Sequence, residues 1–178
     1  MIPAGAVAAR NIRNATVSNM QILTGENGKE ATGWIEEAAK VAEKALCLNA
    51  KCGVVIVKEG KIIGQGYNAP PLDQAINRMC DKKRDPGKPK YDQTCCVHAE
   101  WRALIDALKN NPDKLEGSTL YFTRVGEDVV DWGKPFCTVC SRIILDSGIT
   151  KVVLPQKEGL CLYNATEYNQ VSYSYTPE

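Results

Sequence analysis

His98-Ala99-Glu100-Trp101-Arg102 and, further along, Cys137-Thr138-Val139-Cys140 are the two stretches that decide how this chain is read. His98, Cys137 and Cys140 offer one imidazole and two thiols. Zinc takes these donors readily, and three protein ligands leave a fourth tetrahedral position open for water. Such a water loses a proton near neutral pH and becomes a nucleophile. Glu100, two residues beyond His98, adds a carboxylate that can move protons beside the ion without binding it. Cysteines three apart in the first turn of a helix face one side. A helix N-terminus favours negative charge and so lowers thiol pKa values. The chain's single histidine falls inside this arrangement.

Outward from these motifs, Trp101, Leu104, Ile105 and Leu108 recur at helical spacing after His98. Ser118 to Arg124 reads as a strand, residues 126–134 as a loop, and Pro135 precedes a short helix carrying both cysteines. Gly148 closes that helix, and Thr150 to Leu154 is a further strand. Upstream, Thr32 is expected to cap a helix running to about Leu48, with Trp34, Ala38, Val41, Ala42 and Ala45 on its apolar face. Gly53 to Val57 and Lys61 to Tyr67 read as a hairpin. Residues 69–95 form a long polar connection, a length usually associated with function. Residues 1–28 lack periodicity and read as an arm or flexible tail, leaving residues 29–178 as one domain. Arg10 and Arg13, ahead of the first acidic residue Glu26, keep a transit peptide as a weaker alternative.

The totals fit an ordinary globular chain of 178 residues, 44% hydrophobic and 24% charged. With 22 Lys and Arg against 21 Asp and Glu, no strongly basic balance announces nucleic acid. No apolar run is long enough to span a membrane. The eight cysteines, without a signal-peptide h-region and with one pair at metal spacing, point to a reducing compartment and a cytoplasmic location.

The combination resembles the cytidine and deoxycytidylate deaminase superfamily, whose signature is H-x-E followed by P-C-x-x-C, a general signature of zinc deaminases. The likeness covers about residues 30 to 155. This chain departs from it in reading Pro135-Phe136-Cys137, with one extra residue before the first cysteine. The resemblance implies a three-layer α/β/α fold with a mixed sheet of about five strands. It implies zinc held by His98, Cys137 and Cys140, with Glu100 as the proton shuttle of a hydrolytic deamination at C4 of a cytosine-type ring. Gly66-Tyr67-Asn68-Ala69-Pro70 is similar to the Gly-Tyr-Asn-Gly-x-Pro run of deoxycytidylate deaminases. By that likeness Asn68 contacts the sugar and the Ala99 backbone the base edge. A turn-forming Asn before prolines is the alternative for Asn68.

The substrate implied is therefore a small nucleotide, dCMP giving dUMP and ammonia. Homo-oligomers are expected, since neighbouring subunits commonly complete the pocket in this superfamily. Cys80, Cys95 and Cys96 bracket the insertion, where some relatives bind a second zinc. Here they read first as small buried thiols and are left out of the metal set; the alternative is a second zinc held by Cys80, Cys95 or Cys96 with Cys47 or Cys52. Lys82, Lys83, Arg84, Lys88 and Lys90 form either a solvated face or a phosphate clamp. The tail with Tyr163, Tyr168, Tyr173 and Tyr175 does not read as the strand and helix that complete the deoxycytidylate branch. It keeps a deaminase of cytosine or adenine in nucleic acid as a rival, because exposed aromatics stack on bases, alongside action on another free base or nucleoside. A zinc-stabilised binding module without catalysis is the second rival, and the intact Glu100 speaks against it.

Overall fold

Val54-Val55-Ile56-Val57 is apolar at four consecutive positions because its strand is covered on both faces. Val54 and Ile56 enter one core cluster, and Val55 and Val57 enter the other. This alternation places the strand at the centre of three layers. The computed structural model describes residues 19–80, 85–87, 94–126 and 137–174.

The elements run β1 (Gln21–Ile22), α1 (Gly25–Ala42), β2 (Lys51–Lys58), β3 (Lys61–Tyr67), α2 (Ala99–Asn110), β4 (Thr119–Val125), α3 (Thr138–Asp146), β5 (Lys151–Gln156), β6 (Gly159–Asn164) and α4 (Ala165–Ser174). The six strands lie in the order β1-β6-β5-β4-β2-β3, one more than expected. β4 and β5 are parallel and the other neighbours antiparallel, so the sheet is mixed. Helix α1 packs Ala31, Ala38 and Val41 onto Val55, Val57, Tyr121 and Val153. Residues of α2, α3 and α4 (Leu104, Ile144 and Tyr168) join Ile56, Leu120 and Val152 in the other cluster. The fold is the α/β/α sandwich that the resemblance implied. Among the described residues no helix is long and apolar enough to cross a membrane.

The placement of α2 depends on residues without side chains. Ala99, Ala103, Leu104 and Ala107 form its buried face, and Gly64 and Gly66 of β3 lie beneath them. A Cβ on Gly66 would run into the backbone of Ala99 and Ala103. The expected apolar stripe is therefore only partly right: Leu104 is buried, but Trp101, Ile105 and Leu108 face outward. Close helix–sheet approach selects small residues inside and leaves the large ones outside. Gly66→Ala is expected to cost about 2 kcal/mol by overpacking, a fall of about 6 °C in the thermal midpoint for a domain of this size. Calorimetry checks it, and an unchanged midpoint would contradict so tight a contact.

Other expectations need correction. Helix α1 starts at Gly25 with Thr24 as N-cap, not at Thr32, and ends at Ala42 rather than near Leu48. Gly28 and Gly33 hide its first turns in the sequence, although Glu26 and Lys29 form a helical ion pair there. The boundary drawn at residue 28 consequently falls inside a helix, and β1 pairs with β6 within the expected arm. Residues 1–18 lie outside the described residues.

The tail does supply a strand and a helix. β6 buries Cys161 and Tyr163, and α4 follows it directly, with the Thr166 N–H donating to Asn164 Oδ1 at 2.9 Å. α4 docks on α3 through Ser141 Oγ, which meets Ser172 Oγ at 2.8 Å and Asn169 Oδ1 at 3.0 Å. A strand that buries Cys and Tyr, joined to a helix whose docking contacts are hydroxyls and an amide, lacks the aliphatic pattern that sequence reading relies on.

Candidate metal centre and active site

His98 and Cys137 are the N-cap residues of α2 and α3, and Cys140 lies in the first turn of α3. Two helix N-termini thus converge on one point, each offering N–H groups that lack helical carbonyl partners and the positive end of its dipole. His98 Nδ1 stands 3.1 Å from Cys140 Sγ and 3.5 Å from Cys137 Sγ, and the two sulfurs are 3.0 Å apart. Bonds of the usual length to a tetrahedral zinc place such atoms about 3.5–3.8 Å apart. Shifts of less than an ångström would therefore seat one ion among them.

The thiols are prepared for it. The Cys137 pKa is lowered to about 4, first by its hydrogen bond with the Cys140 thiol, then by His98 and the Cys140 N–H, against the opposing effect of burial. Cys140 is pushed up by Cys137 and by burial, so the pair releases its first proton easily and holds the second. A cation bound between the sulfurs would replace that second proton.

Glu100 is buried just inside the first turn of α2. Burial raises its pKa, the neighbouring His98 opposes this, and Cys137 adds to it. A carboxyl group so placed holds a proton more readily than an exposed one. Ala99, the first helical residue, is buried, and its N–H belongs to the turn whose amides lack helical partners. A cleft of about 290 Å³ opens beside His98, lined by Pro71, Thr94, Cys95, Cys96, Val97, His98, Trp101 and Val139.

Asn68 follows β3 directly, and its side chain is already engaged. Its Oδ1 accepts from the Cys52 N–H at 2.8 Å, and its Nδ2 donates to the Ala50 carbonyl at 2.8 Å. An amide carries a second hydrogen and a second lone pair. The structural role thus leaves one donor and one acceptor site on Asn68. Pro135 and Phe136, and the basic residues Lys82, Lys83, Arg84, Lys88 and Lys90, lie outside the described residues.

The leftover cysteines are not separately buried thiols. Cys47, Cys80, Cys95 and Cys96 are each half-buried and come together: Cys80 Sγ is 3.9 Å from Cys47 Sγ and 3.7 Å from Cys95 Sγ, and Cys95 is 3.8 Å from Cys96. Single ligand atoms of Cys47, Cys80 and Cys96 all lie within 4.8 Å of one another. These spacings match sulfurs sharing a tetrahedral ion, about 3.8 Å apart, and are far from a disulfide bond of about 2.0 Å. Burial would raise the Cys80 pKa, but the Leu48 N–H and the Cys95 and Cys47 thiols bring it down overall. The sequence left this alternative open, because Cys47 precedes the β2–β3 hairpin and the other three follow it.

Sequence reading also missed several neighbours. Cys52, at the start of β2, has a thiol pushed up to about 12 by burial and by the charge of Glu100. Tyr168 of α4 is buried, and Glu100, Cys140 and Cys137 add to burial in raising its phenol pKa. Arg102, Asp73 and Tyr67 form a contact network over the Asn68 loop.

The cytidine and deoxycytidylate deaminase zinc-binding region matches residues 28–156, which contain both metal-binding motifs. A deoxycytidylate deaminase of Mycobacterium phage D29 is 35% identical over 127 residues, 67% of this chain and 89% of that one. The deoxycytidylate deaminase of Saccharomyces cerevisiae is 32% identical over 122 residues, and the match spans only 35% of its length. Among solved structures, the dCMP deaminase of cyanophage S-TIM5 in complex with dCMP and dUMP superposes with a TM-score of 0.52 at 25% identity, covering 73% of this chain and 82% of that one. On its sequence, fold and converging helix ends, this chain belongs to the cytidine and deoxycytidylate deaminase family, on its deoxycytidylate branch.

Proposed function

We propose that the chain is a zinc-dependent hydrolase that converts dCMP and water to dUMP and ammonia. The observation carrying this reading is the buried Glu100 carboxyl beside the His98, Cys137 and Cys140 donors. A purely structural zinc site has no use for a buried acid there. The relatives' names and the dCMP and dUMP in the phage structure support the choice of nucleotide.

Zinc, when bound, supplies a Lewis acid that makes water a nucleophile at neutral pH. The chain's own residues do the rest. Glu100 gives a proton to N3 of the base as C4 is attacked and later passes one to the departing ammonia. The Ala99 N–H, fixed at the helix start, holds the base edge. Asn68, oriented by Ala50 and Cys52, offers its remaining donor or acceptor to the sugar. Binding the tetrahedral geometry more tightly than the planar base provides the acceleration.

Three further readings accompany this one. The Cys47, Cys80, Cys95 and Cys96 thiols hold a second, structural ion that ties the two ends of the insertion to the segment between α1 and β2. The exposed Trp101, Ile105 and Leu108 stripe on α2 supports a homo-oligomer. The thiol-rich sites fit a reducing, cytoplasmic setting.

Ammonia release from the zinc-loaded protein is measured on dCMP, deoxycytidine and a cytosine-containing oligonucleotide. Turnover is expected on dCMP, with deoxycytidine far slower and the oligonucleotide inert. Turnover of the oligonucleotide with strong salt dependence would instead establish the nucleic-acid reading.

A further inference from the structure

Arg102 is one turn beyond His98, yet its side chain leaves the helix and crosses to the loop that follows β3. Its Nη2 donates to the Pro70 carbonyl at 2.8 Å and reaches the Ala69 carbonyl at 3.5 Å. Its Nη1 pairs with Asp73 Oδ1 at 2.9 Å. The guanidinium lies over the Tyr67 ring, 5.1 Å from its centroid, and the Tyr67 hydroxyl donates to Asp73 Oδ2 at 2.9 Å. These contacts close a ring around Asn68, Ala69 and Pro70. Only 19% of the Arg102 side chain is exposed, so the guanidinium is held within the protein while its partner Asp73 stays at the surface.

The same loop is fastened on its other side. Ala69 and Val97 exchange backbone hydrogen bonds, Val97 N–H to Ala69 O at 2.8 Å and Ala69 N–H to Val97 O at 3.4 Å. Val97 immediately precedes His98. The loop carrying Asn68 is thus tied to the residue before the metal ligand and, through Arg102, to the helix that carries Glu100. A planar fork that reaches two carbonyls and a carboxylate while stacking on a ring suits arginine and not lysine.

We propose that Arg102 is a positioning residue for the reaction. It holds the Asn68–Pro70 loop at a set distance from the first turn of α2, so that Asn68 and the Ala99 backbone face one bound nucleotide together. Asp73 and Tyr67 are its supports. This inference rests on the deaminase reading above. Arg102 touches neither the base nor the reacting atoms. Its loss therefore weakens binding of the ground state and transition state alike, which raises KM and leaves kcat.

The test compares wild type, Arg102→Lys, Asp73→Asn and the double variant in their zinc-loaded forms. Arg102→Lys is expected to raise KM for dCMP about tenfold with kcat within about threefold. Zinc content at the His98 site should be unchanged. Asp73→Asn should raise KM less, and the double variant should be no worse than Arg102→Lys alone, because the two act as a unit. Unchanged KM in Arg102→Lys, or a fall in kcat and zinc content with KM intact, overturns the proposal. Should Arg102→Lys fail to fold, Asp73→Asn decides on the same readouts, since Asp73 is exposed.

Amide exchange supplies an arm that needs no activity. The Asn68 N–H donates to Cys52 O and the Ala69 N–H to Val97 O. Both should exchange faster in Arg102→Lys while the β2–β4 amides do not. If wild type fails to turn over dCMP, the functional reading falls, and exchange alone decides on the clamp: unchanged rates at Asn68 and Ala69 overturn it.

Discussion

Glu100→Gln is expected to keep the fold and the metal and to lower ammonia release from dCMP by about three orders of magnitude, within the range for a positioned general acid and base. The substitution keeps shape and volume, so the packing of α2 on Gly64 and Gly66 is undisturbed. It removes the group that carries protons from water to N3 and on to the leaving nitrogen. An amide cannot accept a proton and return it, so both transfers fail together. Thermal stability should stay level or rise slightly, because a buried carboxyl is replaced by a neutral group that costs less to desolvate. Wild-type rates in Glu100→Gln would remove the carboxyl from the chemistry, whereas no ammonia release from either protein would leave a zinc-stabilised binding module as the better account.

Metal analysis should find two ions per chain, and single substitutions should remove them separately. Cys140→Ser takes out one of the two thiolates, and with it the ion between the helix ends and all deaminase activity. Cys80→Ser takes out the other ion and leaves the first in place. Its expected signature is lower stability: an ion at 100 times its dissociation constant contributes about 2.7 kcal/mol. A chelator strong enough to strip both should abolish activity, and added zinc should restore it. A single ion in wild type, unaffected by Cys80→Ser, would mean that the four thiols cluster without a metal.

The chemistry was legible in the sequence because it depends on residue type and local spacing. His98 and Glu100 open one helix, and Cys137 and Cys140 open another, as the motifs require. The central hairpin was equally legible, since four consecutive apolar residues bounded by turns describe a strand buried on both faces. Helix boundaries were less so. The start of α1 was hidden by Gly28 and Gly33, whose poor propensity is overridden by docking of its apolar face. The strand and helix of the tail were hidden because tyrosine, cysteine and serine do their packing. The buried face of α2 was misread because the large apolar residues are the exposed ones.

By itself, then, the sequence offered the candidate donors and the carboxylate through residue type and spacing along a few turns, and through its family resemblance it implied the reaction type and the three-layer class. Tertiary structure alone decided what converges from distant segments. It brought Cys47 to Cys80, Cys95 and Cys96, laid Arg102 across to Pro70 and Asp73, and gave Asn68 a hold on Ala50 and Cys52. The physical reason is that a local pattern reports the faces of one element. Side-chain contacts between elements depend on register and on the approach distance that Gly64 and Gly66 permit, neither of which a single segment encodes.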